Sequence, residues 1–396
     1  MEIQLSKRVQ SIKPSPTLAV TARAQELKAQ GKDIIGLGAG EPDFDTPEHI
    51  KQAAIEAIHK GFTKYTAVDG TPGLKKAIIG KFERDNGLKY EPKQILVSCG
   101  GKQSFYNLAQ ALLNPGDEVV IPAPYWVSYP DMVLLAEGVP VILEAGLEQG
   151  FKITPAQLEA ALTPRTRLVV LNSPSNPTGV AYTKAELGAL GEVLRRHPQV
   201  LIASDDMYEH ILWADEPFVN ILNACPDLYE RTIVLNGVSK AYSMTGWRIG
   251  YAAGPASLIG AMKNIQSQST SNPTSISQVA AEVALNGDQG CIQEMLKAFK
   301  ERHDFVVAGL NAIQGVNCLP SQGAFYSFPD MREIIATRND VGNDIELAEL
   351  ILNEAGVALV PGSAFGSEGY MRLSFATSLE NLRDALARLA NLFGKK

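Results

Sequence analysis

The chain reads as an α/β protein: a large domain on a mostly parallel central sheet flanked by helices, with a smaller α+β domain beside it. Three observations predict this. Short β-branched or apolar runs recur, each ending in small or polar residues and leading into a helical pattern, an alternation that places parallel strands between helical crossovers. From about residue 290 the pattern changes to a long charged helical segment followed by short strands. The 396 residues also exceed what one core usually spans, so a second unit is expected.

Taken in order, the first 45 or so residues look too irregular to form a core and are assigned to the smaller domain. "QILVSCGGKQSFYNLAQALL", "EVVIPAPYWVSYPDMVLLAE", "RLVVLNSPSNPTG", "VLIASDDMYEHIL", "TIVLNGVSKAYSM" and "RIGYAAGP" then supply the strands of the large domain. "CIQEMLKAFKERHDFVVAGLNAI" is a long helix, and "GAFYSFPD", "GVALVPGSAFG" and "YMRLSFAT" are strands before a closing helix. The expected boundaries are 46–290 for the large domain, and 1–45 with 291–396 for the small one. No internal repeat or low-complexity segment appears.

Composition narrows the function. A formal charge of −7 argues against a dominant nucleic-acid surface, which needs clustered Lys and Arg. Cys99, Cys225, Cys291 and Cys318 are widely spaced with no CxxC pair, so neither a zinc site nor a disulfide framework is expected. "MEIQLSKRVQSIKPSPT" lacks the apolar run of a signal peptide, and no apolar stretch of about 18 residues occurs. A cytoplasmic protein with no membrane partner is expected.

Ligands of open α/β sheets bind beyond the carboxyl ends of the strands, so the polar residues after each run hold the candidate chemistry. Lys240 follows an apolar strand among small residues, where a desolvated amine can become a Schiff-base nucleophile; a solvated lysine is the alternative. Asp205 closes "VLIAS", with Tyr208 three residues on. Together they suit a ring nitrogen and a ring hydroxyl, while a helix N-cap is the ordinary reading of Ser204 and Asp205. Asn176, pinned before Pro177 in a turn, can present its amide to a ring oxygen or a carboxylate. Gly100 and Gly101 open a helix, a geometry that suits a phosphate or merely a sharp turn, and Arg248 can supply a cation. Trp126 either fills core or stacks on a planar ligand. Arg372 stands alone in an apolar strand, where a buried guanidinium calls for a carboxylate from protein or substrate.

As a set, Asn176, Asp205, Tyr208, Lys240, Arg248 and Arg372 resemble the fold-type I pyridoxal-phosphate aminotransferases in order and spacing, and "SKAYSMTGWRIGY" looks like that family's lysine signature. The resemblance runs from "GAGEPDFDTP" and "KYTAVDGTPGLKKAI" to "MRLSFATS", and is strongest to the prokaryotic 1-beta subgroup of aspartate aminotransferases. It implies that Lys240 forms the Schiff base and shuttles the substrate proton, that Asp205 pairs with the pyridinium nitrogen, and that Tyr208 and Asn176 bond the ring oxygen. Trp126 would stack on the ring beside the substrate; Gly100, Gly101, Lys102 and Arg248 would hold the phosphate. Tyr65 would reach the phosphate of a neighbouring subunit, which makes the protein a homodimer with shared active sites.

The same resemblance makes Arg372 the clamp for the substrate α-carboxylate, helped by Asn176 and the backbone of Gly40. Lys102 and, more loosely, Ser15 and Thr17 would meet a distal carboxylate. The implied reaction is transamination between L-aspartate and 2-oxoglutarate, with amino acid and 2-oxo acid as the small-molecule partners. A prephenate or aromatic aminotransferase, a C–S lyase and a pyridoxal-phosphate-binding regulator are the alternatives. The last is disfavoured because no basic helix-turn-helix precedes "GAGEPDFDTP".

Overall fold

The computed structural model describes residues 3–14 and 16–394. Among these, twelve strands form three sheets. β1 (Ile35–Gly36) comes first, followed by β2 (Ile95–Ser98), β3 (Glu118–Ala123), β4 (Val139–Glu144), β5 (Thr166–Asn172), β6 (Leu201–Asp205), β7 (Thr232–Gly237) and β8 (Gly250–Ala253). β9 (Tyr326–Ser327), β10 (Val357–Ala358), β11 (Val360–Pro361) and β12 (Met371–Ser374) complete the set. The central sheet has the order β2-β8-β7-β6-β5-β3-β4.

The pairs β4–β3, β3–β5, β5–β6 and β6–β7 are parallel, as expected of strands joined by crossovers. β8, read as one more strand of that alternation, instead runs antiparallel to both β7 and β2. The cause is its connection: residues 238–249 contain only a single 3₁₀ turn at Thr245–Trp247, so no helix carries the chain back across the sheet. β4 was not foreseen. It is an edge strand, bonded to β3 alone, and it tolerates Pro140 because its outer side needs no donor.

Burial on both faces explains the continuous apolar runs. Ile95, Val97, Ile202 and Val234 join one core cluster, while Leu96, Ala203, Ile233 and Leu235 join another on the opposite face. A third cluster surrounds β9 and β12, built from the helices Gly290–Asn311 and Leu379–Phe393. Near the N-terminus, where the sequence looked irregular, a helix spans Pro16–Ala29. Only Ala24 and Leu27 of it are buried, too thin a stripe to show as periodicity. It packs with Ile34, Leu352 and Ala358, and β1 pairs with β10, tying the N-terminal segment to the C-terminal one.

The register sets out the site. Asn172 pairs with Asp205, and Asp205 with Leu235, so β5, β6 and β7 end side by side. Gly250 of β8 lies against the turn after β2, and a Cβ there would overlap the Gly101 backbone nitrogen and the Gly100 carbonyl carbon. Both obstacles are backbone and cannot rotate away. We expect Gly250→Ala to lower stability by about 1–3 kcal/mol, seen as a lower urea midpoint with an unchanged slope.

Candidate active site

A cavity of about 470 Å³ opens at the carboxyl ends of β5, β6 and β7. Lys240 reaches it from the segment after β7, and its Nζ donates to the Gly40 carbonyl at 2.5 Å. The amine lies 5.8 Å from the ring centre of Tyr208 and 5.7 Å from that of Phe325. Burial, reinforced by the Arg372 charge and opposed by Glu41, brings its pKa down to about 8.

Asp205 ends β6. Its Oδ2 accepts from the Tyr129 hydroxyl and its Oδ1 from the Met207 amide at 3.2 Å. No helix starts here, so the capping alternative gives way to a turn closed by the aspartate side chain. Burial holds its carboxyl above the usual range, while the Tyr129 hydrogen bond and, to a lesser degree, Lys240 pull it back. Tyr208 is buried and shares a 2.8 Å hydrogen bond with the Tyr326 hydroxyl.

Arg372 lies on β12 with 2% of its surface exposed. Its Nη1 donates to Asn176 Oδ1 at 2.9 Å, its Nη2 donates to the Gly38 carbonyl at 2.7 Å, and its Nε has no partner among the described residues. The guanidinium sits 4.6 Å from the Tyr326 ring centre and 4.9 Å from that of Phe365. No acidic side chain raises its pKa; burial lowers it. Asn176 is held in turn by Asn172, whose Oδ1 accepts from its amide at 2.9 Å.

On the opposite wall, Gly100 has φ +87° and leads into the helix Gly101–Leu112, whose first turn carries no side-chain cap. A Cβ on Gly100 would overlap the Arg248 guanidinium. Gly100 therefore shapes this wall through Arg248, whereas Gly101 and Lys102 line it. Among the described residues Arg248 donates only to the carbonyls of Thr245 and Cys99, at 2.9 and 3.3 Å. Lys102 Nζ lies 5.2 Å from the Trp126 ring centre, and its pKa is lowered by burial and then by Arg248. Trp126 meets Tyr129 edge-on at 5.2 Å.

Among the predicted residues, Gly40, Gly101, Lys102, Trp126, Asn176, Asp205, Tyr208, Lys240, Arg248 and Arg372 share this cavity, and Thr17 lines it too. Thr17 Oγ1 is buried without a partner among the described residues. Ser15 lies outside the described residues. Tyr65 is 92% exposed and takes no part in this chain's own cavity.

Three participants escaped the sequence reading. Tyr129 follows Trp126 by three residues, one helical turn, and that spacing was its available signal. Tyr326 had none, because its partners Tyr208 and Arg372 are 118 and 46 residues away in the chain. Glu41, which lines the cavity, accepts from Thr245 Oγ1 at 3.0 Å.

Known proteins resemble this chain over nearly its whole length. An aspartate/prephenate aminotransferase of Nitrosomonas europaea is 65% identical over 98% of this chain and 100% of its own length. An aspartate aminotransferase of Geobacillus stearothermophilus is 54% identical over 98% of each chain. Among solved structures, the aspartate aminotransferase of Rhizobium meliloti superposes with a TM-score of 0.95 at 52% identity, covering 98% of both chains. That of Thermus thermophilus with maleate gives 0.93 at 45% identity, covering 99% of this chain and 100% of the other. Residues 32–389 match the model of the aminotransferase class I and II family, and the chain belongs to that family.

Proposed function

We propose that this protein binds pyridoxal 5′-phosphate and transfers the amino group of L-aspartate to 2-oxoglutarate, releasing oxaloacetate and L-glutamate. The observation that carries this reading is a single cavity in which an amine of lowered basicity shares the lining with a half-buried aspartate and a buried arginine that has no acid partner among the described residues. Four cations, Lys102, Lys240, Arg248 and Arg372, line it against two carboxylates, Glu41 and Asp205. That excess suits a phosphate together with a dicarboxylic substrate.

The residues fit the cofactor. An uncapped helix start at Gly101, a glycine at position 100 where a Cβ would clash, and an arginine bonded only to carbonyls would take the phosphate. The Asp205 carboxylate would meet the ring nitrogen, Tyr208 and Asn176 the ring oxygen, Trp126 one ring face, and Lys240 the aldehyde carbon. When bound, the group supplies an electron sink for the charge left as the substrate Cα–H bond breaks.

The chain's own part follows. Arg372 and Asn176 would hold the substrate α-carboxylate, the anion that the free Nε and the lack of an acid partner call for. Held there, the substrate presents its Cα proton to Lys240 Nζ, which would accept it and pass it to the cofactor's aldehyde carbon, and would move a proton the opposite way in the second half of the reaction. Lys102 and Thr17 would meet the distal carboxylate. The Nitrosomonas europaea relative supports prephenate as a second acceptor. The exposed Tyr65 would serve the cavity of a second copy. Ile55, Ile58 and Phe62, also exposed just before it, are the apolar surface such a dimer would cover. In this reading 46–290 and 1–45 with 291–396 are the two domains, and the cavity between them holds the substrate.

Purified protein given pyridoxal phosphate should turn yellow, and Lys240→Ala should lose both the visible band and turnover, the latter by about 10⁴-fold or more. A wild type that gains no absorption overturns the reading. In cofactor-free protein the Lys240 amine should lose its proton around pH 8 rather than near 10.5. Its labelling by an amine-selective reagent should therefore climb between about pH 7 and 9 and then level off, which peptide mapping across a pH series would show. Arg372→Ala should lower kcat/KM for aspartate by roughly 100-fold or more, with kcat reduced as well. Lys102→Ala should cost aspartate about tenfold in kcat/KM yet change phenylalanine by less than about threefold. Steady-state assays over a panel of donors and acceptors, prephenate included, would measure both.

A further inference from the structure

Behind the cavity lies a second set of charges that the proposed reaction does not use. In the turn after β6, Asp205 and Tyr208 face the cavity, while Asp206 and Glu209 point to the other side of the sheet. Glu209 is 5% exposed and Lys81, at the end of the helix Pro72–Lys81, is 0% exposed; the two form a buried ion pair. Lys81 also donates to Asn86 Oδ1 at 2.7 Å. Asn86 Nδ2 donates to one Glu209 oxygen at 2.8 Å, and Asn236 Nδ2 donates to the other at 2.7 Å. Asn236 closes the loop by accepting from the Gly237 amide at 2.7 Å, at the end of β7 and four residues before Lys240.

Burial opposes the Glu209 charge, but Lys81, His210 and the Asn86 hydrogen bond together outweigh it and leave the carboxyl below its ordinary value. His210 Nδ1 lies 3.7 Å from the same carboxylate, and Asp85 lies 3.9 Å from the Lys81 ammonium. Asp206 makes no ion pair among the described residues; burial and the Glu209 charge push it up to about 8, against the pull of its hydrogen bonds to Ser204 and Asn220 and of the more distant Lys81. The closest contact of the ammonium is thus with Glu209. Such a pair is a poor way to gain stability, because a pair of apolar side chains commonly does as well without the desolvation penalty. What distinguishes it is where its members are attached: Glu209 is the neighbour of Tyr208, and Asn236 stands on the strand that leads to Lys240.

We propose that the Lys81–Glu209 pair, with Asn86 and Asn236, is a positioning device that sets the spacing between the Asp205–Tyr208 turn and the Lys240 segment. Because Glu209 accepts from Asn236, a shift of the turn drags the end of β7 with it, so the two halves of the cavity floor move as one. The inference rests on the reading of the site given above.

The test is the double variant Lys81→Met/Glu209→Gln, which removes both charges and leaves no buried ion unpaired. It should melt within about 5 °C of wild type, while kcat falls about tenfold and the aspartate KM changes by less than about threefold. The pH midpoint of the near-ultraviolet and visible band of the protein with pyridoxal phosphate should move by roughly half a unit or more, since the environment of the Lys240 nitrogen changes. A double variant with kcat and band midpoint matching wild type overturns the inference, whatever its melting temperature. If the double variant is insoluble, Asn86→Ala decides on the same two readouts: a shift in the same direction supports the device, and wild-type values overturn it. A wild type that takes up no pyridoxal phosphate overturns the reading of the site, and this inference falls with it.

Discussion

The arrangement of the cavity depends on one costly feature, a guanidinium buried with no acid partner among the described residues. Removing a charge from water costs several kcal/mol even after relaxation, and Arg372 recovers only part of this from Asn176, the Gly38 carbonyl and the faces of Tyr326 and Phe365. Each of those contacts is a neutral acceptor or a ring. None would repel an arriving carboxylate as a fixed aspartate would. After burial, the Arg372 charge is also the largest influence lowering the basicity of Lys240. In the proposed function one buried cation would thus serve both binding and acid–base chemistry.

How far this was legible in the sequence depends on how local each signal is. The strands of the central sheet were readable because burial on both faces makes apolar runs, and the residues at their ends follow from chain order alone. Asp205, Lys240 and Asn176 were found this way. β8 looked the same as a parallel strand because direction is a property of its connection, not of its composition. The helix Pro16–Ala29 was missed because two buried residues make no stripe. Tyr129 and Tyr326 were missed for a different reason: tyrosine in an apolar context is ordinary, so the spacing of Tyr129 from Trp126 did not stand out, and Tyr326 meets Tyr208 only through tertiary contact.

The Asp205–Glu209 turn shows how one short segment serves two environments. Alternate pairs face opposite sides, so Asp205 and Tyr208 border the cavity while Asp206 and Glu209 are buried behind it. Three carboxylates within five residues would repel one another if all were ionised. The conflict is eased by unequal surroundings: Tyr129 donates to the first, Ser204 and Asn220 donate to the second, whose pKa burial and the Glu209 charge push up to about 8, and Lys81 pairs with the third.

The segment 38–46 couples these parts. The Gly38 carbonyl accepts from Arg372 and the Gly40 carbonyl accepts from Lys240, two residues apart on one strand of backbone. Farther along, Thr46 donates to the Ser243 carbonyl and accepts from the Trp247 indole, and Asp43 pairs with Arg302 of the helix Gly290–Asn311. A substrate carboxylate that draws the Arg372 guanidinium toward itself must compete with the Gly38 carbonyl. In the proposed reaction Lys240 would exchange the Gly40 carbonyl for the aldehyde carbon of the cofactor, so this short stretch of chain would set the starting positions of both the carboxylate clamp and the base.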